Sequence, residues 1–405
     1  MNKKKNKYNI VTLFSGAGGM DLGFIKSGFN VLWANDFNQD AVNTYKKNIG
    51  NHIVCGDITK IPTKDIVLGN KEVDVVIGGF PCQGFSIANN KRSMEDKRNF
   101  LYLELLRVIK DTNPKFFIAE NVKGLLSMEK GEIIKMIVKD FESLGYKVDY
   151  KVLNASEYGV PQARERVIIM GNRLGIDNEF PTKTHGVNLK KPITVQSAIG
   201  FLEDIEVTNG KTIDYIEVNG KMIFNHIAHL NVHDKFWGRK YTVNQHDICD
   251  YLRYWRDKSG WTTKKVDDYF GYKHTAGHWF RKDNNSGSIP KPEDWKKLKK
   301  IFGFDNKYDK QVTTFIEKDI KFEQSLRITN WDRPSDTITA SFPEIHINKQ
   351  RRLSVRECAI LQSFPNDFIF TGNLSSQHRQ VGNAVPVLLA QKIAESIKAK
   401  LDNLT

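Results

Sequence analysis

The sequence predicts an α/β protein, with a mostly parallel sheet of the nucleotide-binding kind and a smaller domain inserted into it. Three observations carry this. Tyr8–Ser27 runs as an apolar stretch, a glycine-rich turn and a helical pattern, the opening unit of a nucleotide-binding α/β domain. Short apolar runs then alternate with helical spacing as far as Gly171. That alternation stops near Asn172, where Asn, Gly, Lys and His increase, and regular character returns near Arg333. We therefore expect one domain from residues 1–171 and 330–405 and a second from residues 172–329.

A chain of 405 residues is too long for one average domain and suits two. The formal net charge of +14 and pI near 9.3 favour a polyanionic partner, although net charge speaks of association and not of fold. No apolar window is long enough to span a membrane. The basic start, Met1-Asn2-Lys3-Lys4-Lys5, leads into no signal-peptide apolar region. A cytoplasmic protein is expected. Cys55, Cys82, Cys249 and Cys358 are widely spaced and the ten His are scattered, so neither a disulfide framework nor a metal site is expected.

In chain order, the first predicted strand is Tyr8–Phe14, followed by the turn Ser15–Gly19 and a helix over Met20–Ser27. A second strand, Asn30–Ala34, ends at Asn35-Asp36. An acidic residue there is placed to accept from ribose hydroxyls, or to cap the helical pattern at Gln39–Lys47. A third strand, His52–Cys55, ends at Asp57, which can approach an adenine amino group or cap a turn.

The stretch Gly78–Ser86, GGFPCQGFS, follows the apolar run Val73–Ile77. The two glycines let the chain bend away from the strand, and Pro81 stiffens the loop just before Cys82. A thiol held there is either a nucleophile or a small buried apolar residue. The polar stretch Ala88–Arg98 reads as an exposed loop that can close over a substrate. Phe100–Lys110 has helical spacing, Phe116–Ala119 is a strand ending at Glu120, a helix follows over Gly131–Leu144, and Val148–Leu153 is another strand. Alternation in Gln162–Arg166 points Arg164 and Arg166 to one side, as an anion clamp or an exposed charged edge. Near the end, Arg351–Phe364 is helical, Gln380–Pro386 is a glycine-containing turn, and Val387–Leu401 is a closing helix.

Together, Phe14–Gly19, Gly79-Phe80-Pro81-Cys82-Gln83, Glu120-Asn121-Val122, Gln162–Arg166, Arg352–Ala359 and Gly382–Pro386 resemble the motifs of the cytosine-5 DNA methyltransferases of bacterial restriction–modification systems, in that family's order. The resemblance covers residues 8–171 and 330–400. It implies a class I, Rossmann-like S-adenosylmethionine-dependent methyltransferase with an inserted target-recognition domain. One departure is mild: Asp36 stands where the family often has Glu.

The resemblance also implies roles. Cys82 would attack carbon 6 of cytosine, which makes carbon 5 nucleophilic. Glu120 would serve ring nitrogen 3 and the exocyclic amine, a role that asks for a raised pKa. Arg164 and Arg166 would hold the base's carbonyl oxygen and the Glu120 carboxylate. S-adenosylmethionine, leaving as S-adenosylhomocysteine, would lie along Phe14, Gly16, Ala17, Gly18 and Gly19. Asp36 would take its ribose, and Asp57, Ile58, Phe80 and Pro81 its adenine side. Leu101, Asn383 and Val385 match further cofactor-lining positions. The target base must flip out of duplex DNA. Gln83 and Ser86 are DNA-binding candidates beside it. The partner is double-stranded DNA and the enzyme a monomer in the bacterial cytosol, associated with the nucleoid. A restriction endonuclease of the same system would form no stable complex with it.

In the insert, Ile248–Lys258, Thr262–Phe270, Thr275–Arg281 and Pro290–Phe302 suggest helices that weakly resemble a repressor-type helix-turn-helix. A supporting helical subdomain is the other reading. On the first, His274, His278 and Arg281 would contact bases and Lys273 and Lys282 phosphates. Arg239, in the mixed cationic and aromatic run Lys235–Lys240, is a further DNA-binding candidate. Cys55, Cys249 and Cys358 are expected as small core residues. Two other functions fit parts of this pattern. A tRNA cytosine-5 methyltransferase usually lacks so long an insert, and a repressor-like binder has no use for a thiol behind Pro81.

Overall fold

The computed structural model describes residues 8–66, 71–81, 101–209, 215–228, 237–240, 245–271, 279–280, 289–314, 316–319, 327–341, 344–347 and 351–404. The chain forms two compact units, residues 1–232 with 324–405 and residues 233–323.

The first unit is built on a seven-stranded sheet. Its strands are β1 (Tyr8–Leu13), β2 (Phe29–Asp36), β3 (Ile53–Cys55), β4 (Val75–Gly78), β5 (Phe116–Val122), β6 (Lys147–Asn154) and β7 (Glu165–Asn172). The spatial order is β3-β2-β1-β4-β5-β7-β6. All neighbours are parallel except β7, which runs antiparallel to both β5 and β6. The central strands β1, β4 and β5 are buried along almost their whole length, as strands covered on both faces must be. One face carries α1 (Gly19–Lys26) and the closing helix Val387–Asp402, sharing a core with Ile10, Phe24, Phe29, Leu389 and Ile393. The other carries the helices Leu101–Thr112 and Glu132–Glu142, with Val11, Val76, Leu105, Phe117 and Phe141 between. The strand order reverses between β1 and β4, which makes the C-terminal ends of these strands the place for a ligand.

Four features depart from the expectations above. Cys55 is exposed, because β3 is an edge strand whose outer residues, Val54 included, have no neighbour to cover them. Gly78 lies inside β4, and neither it nor Gly79 has a positive φ. Close approach requires them instead: a Cβ on Gly78 would sit 3.1 Å from the Leu13 carbonyl oxygen. Gln380–Asn383 is the end of the helix Leu374–Asn383 and not a turn. There too glycine serves proximity, since a Cβ on Gly382 would lie 2.4 Å from the Thr339 carbonyl carbon. Finally, residues 172–232 group with the first unit. Val195, Ile199 and Ile227 share a core with Val355, Leu361 and Phe364, so the second compact unit is shorter than the 172–329 span.

In the second unit, Gln245–Lys258, Thr263–Phe270 and Pro292–Phe302 are helices. The Thr262 hydroxyl caps the second, and Gly271 ends it at φ 75°. Ile248, Leu252, Val266, Trp279, Trp295 and Leu298 form its core. Trp237–Lys240 pairs antiparallel with Ile316–Asp319. Among the described residues no helix is long and apolar enough to cross a membrane.

The Gly382 crossing yields a test. Gly382→Ala forces methyl against backbone that has no rotamer to move, and overpacking of this kind costs about 1–3 kcal/mol. The urea midpoint of the variant should fall accordingly, and an unchanged midpoint would show that the two segments can separate freely.

Candidate active site

The end of β1 leads directly into the site. Phe14 takes a positive φ of 56°, a strained conformation outside glycine. Gly16 (φ 56°) and Gly18 (φ 90°) complete the turn. Gly18 caps α1 with no side-chain hydrogen bond at that end, which leaves the helix's first N–H groups and its positive dipole end for an anionic or zwitterionic group. Gly16 faces open space: nothing lies within 4 Å of where its Cβ would be. Gly19 lies against the Val385 carbonyl oxygen, 2.6 Å from a notional Cβ, so the turn is seated on the 383–387 segment. Ala17 is buried in the same cluster as Val381 and Val387. Asn383 is exposed and Val385 buried.

Asp36, at the end of β2, holds this turn. Its carboxylate accepts from the Gly16 N–H and from the Asn38 N–H, both at 2.8 Å. Burial pushes its pKa up against those donors. It does not cap α2 (Gln39–Asn48); Asn38 does, accepting from the Ala41 N–H at 3.0 Å. Each Asp36 oxygen retains a lone pair for a hydroxyl. Phe37, the next residue, is 78% exposed. Such an aromatic ring beside the turn can cover a flat heterocycle. Sequence reasoning missed it, although an aromatic residue just after a strand-ending acid was there to be seen. Asp57 is exposed and accepts from the Thr59 N–H at 3.1 Å and hydroxyl at 2.8 Å, which hold its carboxyl below the usual range. Ile58 is buried. Leu101 is partly buried in the core that includes Phe80 and Phe14. An open glycine, a strand-end carboxylate with free lone pairs and an uncapped helix end fit a nucleoside cofactor with a zwitterionic head.

A second cluster lies where β4 and β5 end side by side. Glu120 forms an ion pair with Arg166 across β5 and β7, Oε1 to Nε 2.8 Å, with side chains only 12% and 11% exposed. Burial raises the Glu120 pKa, opposed by Arg166 and then Arg164. Burial likewise lowers that of Arg166, against the charge of Glu120. Glycine at position 79 makes room for the pair, since a Cβ there would meet Glu120 Oε2 at 2.8 Å. The Asn121 amide donates to the Phe80 carbonyl at 3.0 Å and its own carbonyl accepts from the Val122 N–H. This fixes Phe80 and Pro81 beside Glu120, one residue before Cys82.

Arg164 does not join that pair in an open clamp. It is fully buried, and its terminal nitrogens donate to the main-chain carbonyls of Ile338 (2.7 Å) and Gly382 (2.9 Å). Burial lowers its pKa to about 9. The alternation expected for Gln162–Arg166 does not extend to Arg164, because β7 begins only at Glu165. Gln162 is buried as well, and it accepts from the Ile338 N–H at 2.9 Å. Cys82, Gln83 and Ser86 lie outside the described residues, as do the loop Ala88–Arg98 and Lys273, His274, His278, Arg281 and Lys282. Arg239 lies in the strand Trp237–Lys240 opposite Glu317. Among the described residues no His, Cys, Asp and Glu cluster could hold a metal.

Comparison with known proteins agrees with this layout. The Type II methyltransferase M.NgoFVII of Neisseria gonorrhoeae is 34% identical over 98% of this chain and 88% of its own. The Type II methyltransferase M1.HphI of Haemophilus parahaemolyticus is 34% identical over 96% of this chain and 86% of its own. A solved structure of a prophage-encoded E. coli protein shares the fold, with a TM-score of 0.63 at 23% identity, covering 98% of this chain and 100% of that one. The model of the C-5 cytosine-specific DNA methylases matches residues 8–399. The glycine-rich turn after β1 and the buried carboxylate–guanidinium pair beside Gly79 thus lie in a chain that belongs to the C-5 cytosine-specific DNA methylase family.

Proposed function

We propose that this enzyme methylates carbon 5 of a specific cytosine flipped out of duplex DNA, as the modification half of a restriction–modification system. S-adenosylmethionine would supply an electrophilic methyl group. The observation that carries this reading is the buried Glu120–Arg166 pair next to the loop that bears Cys82.

The chemistry follows from the residues. The Cys82 thiolate adds to carbon 6 of the base and the electron pair moves toward carbon 5 and ring nitrogen 3. Glu120 faces nitrogen 3 and the exocyclic amine and supplies a proton or a strong hydrogen bond there. Its raised pKa keeps that proton available at higher pH than an ordinary carboxyl would. Arg166 orients Glu120 and offers its remaining N–H groups to the base's carbonyl oxygen. Arg164 positions rather than touches, tying the start of β7 to Ile338 and Gly382. Carbon 5 takes the methyl group, a base removes its proton, and Cys82 departs. Asp36 and the Phe14–Gly19 turn hold the cofactor's ribose and head group, with Asp57, Ile58, Phe80, Pro81, Leu101, Asn383 and Val385 around the remainder. The second unit, residues 233–323, reads the target sequence, and basic residues offset part of the cost of flipping through phosphate contacts. The enzyme acts as a monomer in the cytosol, without a stable complex with its endonuclease. Bisulfite sequencing of DNA from cells expressing the protein tests the reading: one methylated cytosine within a recurring site is expected, and unmodified DNA would refute it.

Cys82→Ala should abolish methyl transfer while DNA binding persists, and 5-fluorocytosine DNA should trap the parent but not the variant. Transfer within tenfold of the parent would remove Cys82 from the mechanism.

Glu120→Gln keeps a hydrogen-bond donor but has no proton to give, so turnover should fall by the equivalent of about 2–4 kcal/mol with cofactor affinity little changed. In the parent, turnover should decline as pH rises through the Glu120 pKa, because the acid form is the active one. The variant should lack that limb.

If Thr275–Arg281 is a recognition helix, Arg281→Ala should cost roughly 1–3 kcal/mol on the cognate site and far less on random DNA. Lys282→Ala should weaken both alike and reduce the salt slope by about one. Equal losses on the two DNAs for Arg281→Ala would leave these helices a supporting role.

A further inference from the structure

We propose that Asp21, Tyr45 and His52 form a proton-holding support beneath the Phe14–Gly19 turn, positioning it for the cofactor and making cofactor binding depend on whether Asp21 carries its proton. The inference rests on the cofactor reading above and concerns residues outside every motif used for it.

The geometry is a buried chain of hydrogen bonds. Asp21 lies in the first turn of α1, fully buried. The Tyr45 hydroxyl donates to its Oδ2 at 2.6 Å. His52 Nε2 lies 3.0 Å from the same hydroxyl, and the two rings meet edge to face at 5.5 Å. The hydroxyl has one hydrogen, so giving it to Asp21 leaves the oxygen to accept from His52 in its Nε2–H form. His52 is only partly buried, which puts one end of the chain near solvent. Tyr45 is also the floor of the turn: a Cβ on Gly18 would lie 2.8 and 3.0 Å from its ring carbons. The ring, with Ile49, thus packs directly against the turn.

The charge at Asp21 matters because of where it sits. The N-terminus of α1 offers partial positive charge to an anionic group in the turn. An ionised Asp21 one turn inside occupies that same field and opposes a second anion, whereas the protonated acid does not. Burial pushes its pKa up to about 7, with the Tyr45 hydrogen bond pulling the other way. Burial moves His52 down and Tyr45 up, so neither gains charge near neutral pH. One other carboxylate acts on the turn: Asp36, at the end of β2, accepts from the Gly16 N–H and its pKa is also raised by burial, and it is common to the parent and to the Asp21 variant. Strand β1 presents Thr12, and β2 brings Phe29 against Phe24. The closing helix meets α1 through Ala390 and Gln391 at Gly23. Its charged groups pair among themselves, Lys392 with Glu395 and Lys398 with Asp402, with Lys398 beside Gly28 just past the far end of α1.

The test is calorimetric binding of S-adenosylhomocysteine to the whole ligand-free protein between about pH 6 and pH 8.5, where one linked proton changes affinity by at most about tenfold per unit. Parent affinity should fall roughly threefold to tenfold across that range, the span of helix-end charge effects. Asp21→Asn should hold the low-pH affinity throughout, the ligand's own titration being common to both proteins. Tyr45→Phe removes a hydrogen bond that favours the ionised acid, so its fall in affinity should move to higher pH. That shift also decides the matter should Asp21→Asn not fold. An Asp21→Asn profile parallel to the parent's, or an unmoved Tyr45→Phe profile, overturns the proposal. A parent that binds no S-adenosylhomocysteine at any pH overturns the cofactor reading first, and this inference with it.

Discussion

The Glu120–Arg166 ion pair is the contact around which the rest of the site is arranged. Two opposite charges almost out of water are stable only while both are present. Removing one partner of such a pair costs about 3–5 kcal/mol, because the other is left uncompensated. Several distant choices serve this pair. An antiparallel β7 brings Arg166 opposite Val122, two residues past Glu120. Glycine at position 79 leaves space for the carboxylate. The Asn121 amide holds the Phe80 carbonyl, so the thiol-bearing loop starts from a fixed point.

Buried guanidiniums do a second job in the first unit. Arg164 joins the Ile338 and Gly382 carbonyls, and Arg356 donates to the carbonyls of Phe224, Pro365 and Phe368. A guanidinium has five donors in a rigid fork, so one side chain can fasten irregular segments that no helix or sheet ladder connects. These segments are the ones that follow the loss of strand–helix alternation. Regular secondary structure organises the front of the chain, and charged side chains turned inward organise its return.

Much of the fold was legible because the central strands are covered on both faces. Their continuous apolar runs, such as Val73–Ile77 and Phe116–Ala119, stand out from any surface segment. The turn Phe14–Gly19 and the pair at Glu120 were legible because their residue types are chemically demanding. What failed depended on neighbours distant in sequence. Cys55 is exposed because β3 is the last strand of the sheet, and strand order is not written in a local pattern. Arg166 lies in β7 and meets a carboxylate, whereas Arg164 stands just before the strand and meets two carbonyls from segments roughly 170 and 220 residues away in sequence. Gly79 and Gly382 looked like bends and are points of contact, a distinction that only the third dimension supplies.

The direction of β7 sets the two ends of the segment between Asn172 and Ser335 at opposite ends of one strand. The chain leaves β7 at Asn172, opposite Phe116 and six residues from Arg166, so about 20 Å along the strand from the reacting end. It comes back at Ser335 and Ile338, hydrogen-bonded to Ala163, Gln162 and Arg164. Both ends are fastened, by different means: past Asn172 the chain packs Leu174, Ile176 and Phe180 on the core and sets the Thr184 and His185 N–H groups on the Glu157 carbonyl, while sliding the returning end by one residue unfastens Arg164. Change within this segment is therefore best carried between its two anchored ends, away from the strand that bears Arg166.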